Sequence, residues 1–261
     1  MKILTAVLFV IWSSLAASAQ VVPIIEVQTG GLLGGVENGR YLDAKTTFGR
    51  LKGEGKYSLF GMTGKTGELT ATVLLPDEPC DEFYFAKTGL EGQKGIAVGT
   101  GRTWNPVPRT PKTVNLKDKT YLNVVAAILR TKGVPNAKAK IEQAVKVDLD
   151  GDGTDEVVLT ASSYGGKISP SADADDYSFL LVRKIVAGKV KNIMVAEEYV
   201  KKKVDFGAPS RFEISAIADL NGDGKMEIVQ YGEYYEGHGA YAYEITDKAV
   251  EIQSLQTGCG V

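Results

Sequence analysis

Nine consecutive residues, Asp148-Leu149-Asp150-Gly151-Asp152-Gly153-Thr154-Asp155-Glu156, carry five carboxylates. Like charges held this close raise one another's cost of ionisation, so a packed fold tolerates them best when a cation neutralises them. Calcium accepts six to eight oxygen ligands in a flexible shell, and side chains at alternate positions of a tight loop converge on such an ion. In that reading Asp148, Asp150 and Asp152 stand at positions one, three and five. Gly153 makes the sharp turn at six, Thr154 offers its backbone carbonyl at seven, and Glu156 closes the shell at nine. The pattern returns 71 residues later as Asp219-Leu220-Asn221-Gly222-Asp223-Gly224-Lys225-Met226-Glu227. The second ligand set is Asp219, Asn221, Asp223, the carbonyl of Lys225, and Glu227. Asn221 keeps an oxygen but removes a charge, and Met226 replaces Asp155. Two calcium ions are therefore expected, the first bound more strongly. An acidic hairpin turn without metal would use the same Asp and Gly residues; the duplication favours the cation.

An EF-hand needs a carboxylate at position twelve and helices on both sides. Position twelve here is Leu159 in one copy and Gln230 in the other. The flanks Ala144–Val147 and Val157–Leu159 are short and rich in β-branched residues, which predicts strand, loop, strand. This unit resembles the VCBS/FG-GAP repeat of integrin-type propellers. Further stretches extend the resemblance: the run from Tyr121 to Gly153, then Asp176-Tyr177-Ser178, Tyr234-Tyr235-Glu236-Gly237 and Gly258-Cys259-Gly260. Together they look like a family of exported bacterial proteins with VCBS/FG-GAP-type repeats and no assigned activity. The resemblance implies calcium binding and export, and no reaction.

The first nineteen residues read as a signal peptide. Lys2 supplies the positive start, Ile3 to Trp12 the apolar run, and Ala17-Ser18-Ala19 the cleavage site, so the mature chain is expected to begin at Gln20. The apolar run is too short to span a membrane comfortably, and the mature chain is expected to have no membrane span. The address expected is secreted or periplasmic. Export suits weak calcium sites and permits a disulfide; Cys80 and Cys259 are the only two cysteines, and pairing is favoured over two free thiols. The formal charge of −2 gives no basic excess for nucleic acid.

The rest of the chain reads as mainly β with one amphipathic helix, an α+β class. Residues 20–113 form an N-terminal β-rich domain, with strands around Ile24–Val27, Lys56–Phe60, Glu68–Leu75 and Phe83–Phe85 and a hairpin over Gly61–Leu75. Trp104 to Pro111 holds three prolines in eight residues and is expected to be an ordered linker or an extended strap, with Trp104 pinned into the core. Residues 114–261 combine a helix with the duplicated calcium loops. Tyr121, Val124, Val125, Ile128 and Leu129 make one apolar stripe; Asp118 or Thr120 caps its start and Gly133 ends it. Tyr177–Val186 and Lys189–Val200 read as a hairpin. Ile228–Tyr235 and Ala240–Ile245 read as another, with Glu236-Gly237-His238-Gly239 at its tip. Asp173, Asp175 and Asp176 read as a solvated loop. A small degenerate β-propeller is the alternative architecture; two visible repeats are too few to complete one alone.

Searches for reaction chemistry return little. No phosphate loop, dinucleotide fingerprint or nucleophile elbow is present, and a triad could use only His238. Glu233 and Glu236 lie among Tyr231, Tyr234, Tyr235, Tyr241 and Tyr243, and such a carboxylate pair beside aromatic rings could serve a carbohydrate-active hydrolase. Cross-strand tyrosine packing explains the same residues without catalysis. The favoured reading is a non-catalytic calcium-binding module whose partner is a protein or a glycan.

Overall fold

The computed structural model describes residues 20–75, 80, 83–90, 92–166 and 168–260; the expected signal peptide lies outside them. The chain is mainly β. It begins with β1 (Val22–Glu26), β2 (Leu32–Glu37), β3 (Arg40–Leu42), the short helix α1 (Ala44–Phe48), β4 (Glu54–Gly61), β5 (Gly64–Leu74), β6 (Phe85–Ala86) and β7 (Ile96–Gly99). These strands form one sheet in the order β3-β2-β1-β7-β4-β5-β6. Next come β8 (Lys112–Thr113), α2 (Lys119–Lys132), β9 (Ile141–Val147), β10 (Glu156–Ser162), β11 (Tyr177–Val186) and β12 (Lys189–Tyr199), a second sheet in the order β12-β11-β10-β9-β8. The last four strands, β13 (Arg211–Ala218), β14 (Glu227–Tyr234), β15 (Gly237–Ile245) and β16 (Ala249–Gly260), make a third sheet in sequence order. Strands β9–β12 and β13–β16 are each antiparallel meanders. The first sheet has a different strand order and does not repeat them.

The third sheet is buried on both faces, which accounts for the continuous apolar runs in β13 and β14. Ala216, Ala218 and Val229 pack against Ile24, Ile96 and Val98 of the first sheet. Ile214, Ile217 and Ile228 turn the other way and meet Val145, Val158 and Leu180 of the second. Helix α2 covers the far face of the second sheet, where Val125, Ile128 and Leu129 pack on Leu159, Phe179 and Leu181. The order of layers is therefore helix, second sheet, third sheet, first sheet.

The caps of α2 fall where the sequence puts them: Asp118 accepts from the Thr120 amide, and Gly133 ends the helix in the left-handed region at φ 86°. Cys80 and Cys259 are bonded. Three local readings differ. The first-sheet hairpin runs from Glu54 to Leu74 with its turn at residues 62–63, because Lys56–Phe60 pairs directly with the strand that follows. The last hairpin turns at Tyr235-Glu236, and His238 lies inside β15 opposite Glu233. Gly237 serves close strand packing there: a Cβ on it would lie 2.6 Å from the Cys259 carbonyl oxygen. Finally, β16 is a full twelve-residue strand, which the sequence pattern does not mark.

Candidate metal centre

Each acidic loop closes one antiparallel hairpin. The first joins β9 to β10, with Val147 opposite Glu156; the second joins β13 to β14, with Ala218 opposite Glu227. Leu149 and Leu220, at position two, are buried and anchor each loop to the core. The glycines at positions four and six all have positive φ, between 80° and 87°, which an L side chain rarely adopts.

The two loops share one hydrogen-bond scheme. Asp148 accepts from the amides of Gly151 (2.7 Å) and Gly153 (3.0 Å). Asp219 accepts from Gly222 (2.6 Å) and Gly224 (2.9 Å). Asp152 and Asp223 each accept from the amide two residues on, Thr154 and Lys225. Glu156 and Glu227 reach back to the amides of Leu149 and Leu220, both at 2.8 Å. Glu156 and Glu227 thus each use one oxygen to brace their own backbone, and Asp148 and Asp219 use both.

In the first loop Asp148, Asp150 and Glu156 each bring a carboxylate oxygen within 4.8 Å of the others. Two ligands on one calcium ion, each ~2.3–2.6 Å from it, lie at most about 5 Å apart. The trio therefore fits inside one hard-cation shell. Asp152 is exposed and outside the trio, and the bonded part of Thr154 is its amide. In the second loop Asp219 and Glu227 are buried at 3% and 1% exposure, and Asn221 accepts from the Asp223 amide at 3.0 Å. The ammonium of Lys225 turns away to Glu244 at 3.1 Å.

Four residues that the sequence reading did not assign to this centre complete it. The Lys184 ammonium from β11 lies 2.6 Å from Asp150 and 2.9 Å from Glu156, with its side chain 8% exposed. Arg109, from the proline-rich strap, donates to the carbonyls of Asp148 and Leu149 and, at 2.7 Å, to that of Gly224 across the gap. The Met226 amide also donates to Leu149 at 2.7 Å, so the loops touch directly. The Trp104 indole donates to the Asp219 carbonyl at 2.9 Å and packs where a side chain on Gly222 would have to go. Burial and the nearby Glu227, Asp223 and Asp219 carboxylates raise the pKa of the Tyr41 hydroxyl. Lys184 could have been flagged, with Arg183 beside it, as a charge inside the otherwise apolar run Phe179–Val186; nothing local marks the partners of Arg109.

The electrostatics of the loops diverge. Burial pushes Glu227 up to about 8, and Asp223 and Asp219 add to the rise. Asp219 is also raised, by burial first. In the first loop burial tends to raise Asp150, but the Lys184 hydrogen bond and charge outweigh it and the net shift is downward. Glu156 is raised by burial, with its backbone bond and Lys184 opposing. Lys184 is lowered by burial but raised overall by its two carboxylate partners.

A shallow groove of about 370 Å³ opens at the first loop, lined by Asp150, Asp152, Lys184, Lys225, Ile245 and Asp247. A larger cavity of about 570 Å³ lies against the first sheet, beside Glu37, Arg50, Glu54 and Tyr57. Glu233 and Glu236 line neither. Glu233 pairs with Arg211 at 3.0 Å, and Glu236 is exposed at its hairpin turn. His238 is held between Phe83 and Tyr231, and burial lowers its pKa. The acids Asp173 and Asp176 brace their own loop, where Asp176 accepts from the Asp173 amide and the Ser163 hydroxyl.

No protein-family model matches the chain, and neither a curated protein nor a solved structure does.

Proposed function

We propose that this chain is an exported, non-catalytic calcium-binding module in which the metal stiffens a surface that binds a protein or a glycan. One observation carries the reading: Asp148, Asp150 and Glu156 each bring an oxygen within 4.8 Å of the others, in a loop whose backbone scheme returns at the touching hairpin end 219–227. Asp148, Asp150 and Glu156 would hold an ion in the first loop; Asp219, Asn221, Asp223 and Glu227 would hold one in the second. The carbonyls of Thr154 and Lys225 are the further donors that the spacing suggests. The all-oxygen donor set suits calcium or magnesium, and the flexible, carboxylate-rich shell favours calcium. The leader-like segment and the resemblance to exported VCBS/FG-GAP proteins support a secreted or periplasmic address.

The metal would act as structure. It would offset the repulsion among the loop carboxylates and hold the Arg109 strap, which ties both loops together. At ~100 times its dissociation constant one ion adds about 2.7 kcal/mol to stability. Calorimetric titration of chelator-stripped protein tests the reading: saturable calcium binding is expected, and no heat of binding at millimolar metal would defeat it. A hydrolase built on Glu233 and Glu236 finds less support, because Glu233 is engaged by Arg211.

A further inference from the structure

The start of β1, the start of β4 and the end of β7 are neighbours in the first sheet. With the turn after α1 they border the cavity of about 570 Å³, a volume inside the range of roughly 300–1,000 Å³ that small-molecule sites occupy. Its lining includes Tyr57, which is packed into the first-sheet core at 2% exposure. Burial alone pushes the Tyr57 hydroxyl up to about 12, and no hydrogen bond to it contributes among the described residues. A buried tyrosine hydroxyl normally has a partner. Here it stands over Gly55, where an added Cβ would lie 3.0 Å from it, and both residues line the cavity. Gly55 is not in the left-handed region, so its backbone does not require glycine. What the missing side chain provides is room beside the hydroxyl.

The other polar groups of the lining come as donors and acceptors together. Arg50 and Glu37 face the cavity as an ion pair 2.5 Å apart, with side chains 43% and 28% exposed. Their charges cancel, while the guanidinium still donates and the carboxylate still accepts. Gln20 and Thr100 add groups that do both. An anionic ligand would compete with Glu37 for Arg50, and a cationic one with Arg50 for Glu37. A neutral ligand dense in hydroxyls has neither conflict, because each hydroxyl donates and accepts at once.

We propose that this cavity binds a neutral oligosaccharide, with the Tyr57 hydroxyl and the Glu37–Arg50 pair as its hydrogen-bonding contacts. The inference rests on the binding-module reading, within which it selects the glycan, and it needs no metal in the cavity. The two regions of the molecule nevertheless meet. Glu37 ends β2, and a Cβ on Gly39 in the turn that follows would lie 3.7 Å from the Asn221 carbonyl oxygen. The hairpin that carries Glu37 therefore abuts the second acidic loop.

Calorimetric titration of the purified protein with cellobiose, maltotriose, chitotriose and mannotriose, and with trigalacturonate as the charged control, tests the assignment. At least one neutral sugar is expected to bind saturably at millimolar concentration. Tyr57→Phe keeps the buried ring and is expected to weaken that binding about tenfold. Gly55→Leu fills the space beside the hydroxyl and should abolish it. No binding of any of the four neutral sugars would overturn the inference, as would unchanged affinity in Tyr57→Phe. Tighter binding of trigalacturonate than of every neutral sugar would overturn the ligand class. Should Gly55→Leu fail to fold, Tyr57→Phe decides alone. Calcium titration of the same protein reads the metal separately: binding of calcium without sugar sinks only this inference, and binding of sugar without calcium sinks only the metal reading.

Discussion

The loops 148–156 and 219–227 have the same backbone, the same glycines at positive φ and the same amide-to-carboxylate bonds, yet they handle charge in opposite ways. In the first, Lys184 arrives from the adjacent strand and Arg109 from the strap. In the second, Glu227 and Asp219 are buried and accept from the amides of Leu220, Gly222 and Gly224, with no ion pair among the described residues. Local sequence writes the loop's shape, whereas the strand that lies beside the loop writes its electrostatics. A duplicated motif can thus keep its geometry while its two copies diverge in how their charges are met.

Acidity should separate the loops most strongly. Glu227 has a folded-state pKa of about 8 against an ordinary value of 4.5. Between those values the folded state keeps a proton that the unfolded state has lost, so stability falls as pH rises. In chelator the loss is about 1.4 kcal/mol per pH unit at most across that window, and Asp219 shifts in the same direction. Urea melts at pH 5 and pH 8 should show the decline, and calcium or Glu227→Gln should flatten it. The first loop behaves conversely. Asp150 lies below its ordinary 3.8, so its contribution is present above that value and lost as pH falls through the folded pKa. Lys184 lies above 10.5, so its contribution is lost only as pH rises beyond that.

Truncation of the first carboxylate should come next. Asp219→Ala strands two amides in a buried site and is expected to cost about 3 kcal/mol in chemical denaturation. Asp148→Ala, in a more open loop, should cost about half as much; equal costs would say that the loops are energetically the same. Arg109→Met removes charge-assisted bonds to both loops and should cost about 2 kcal/mol, with Trp104 emission changing because the strap loosens. Asp152→Asn is the smallest: the side chain is exposed and outside the carboxylate trio, so a change within about 0.5 kcal/mol is expected in the same assay.

Much of this architecture is readable before any coordinates. Helix α2 follows from its stripe and caps, and the loop hairpins follow from Gly and Asp spacing beside β-branched runs. The Cys80–Cys259 bridge follows from there being only two cysteines. What escapes is set by contacts distant in the chain. Strand β16 alternates small, polar and apolar residues without a strong β signal, and it is a strand because β15 supplies a partner along its length. Gly237 and Gly239 look like a turn; the close approach of β16 is what requires glycine at Gly237, and the Tyr241 ring lies over Gly239. Lys184 meets Asp150 across 34 positions and Arg109 meets Gly224 across 115, so no window of sequence shows which loop is already neutralised.

The central claim is that these loops form a metal centre whose ion stabilises the fold. Thermal melting of the wild-type protein near neutral pH, in chelator and then in millimolar calcium, tests it most directly. Each bound ion predicts a rise of roughly 5–10 °C for a chain of this size. Identical melting temperatures in chelator and in calcium would contradict the account and leave the two loops as acidic turns braced by their own amides.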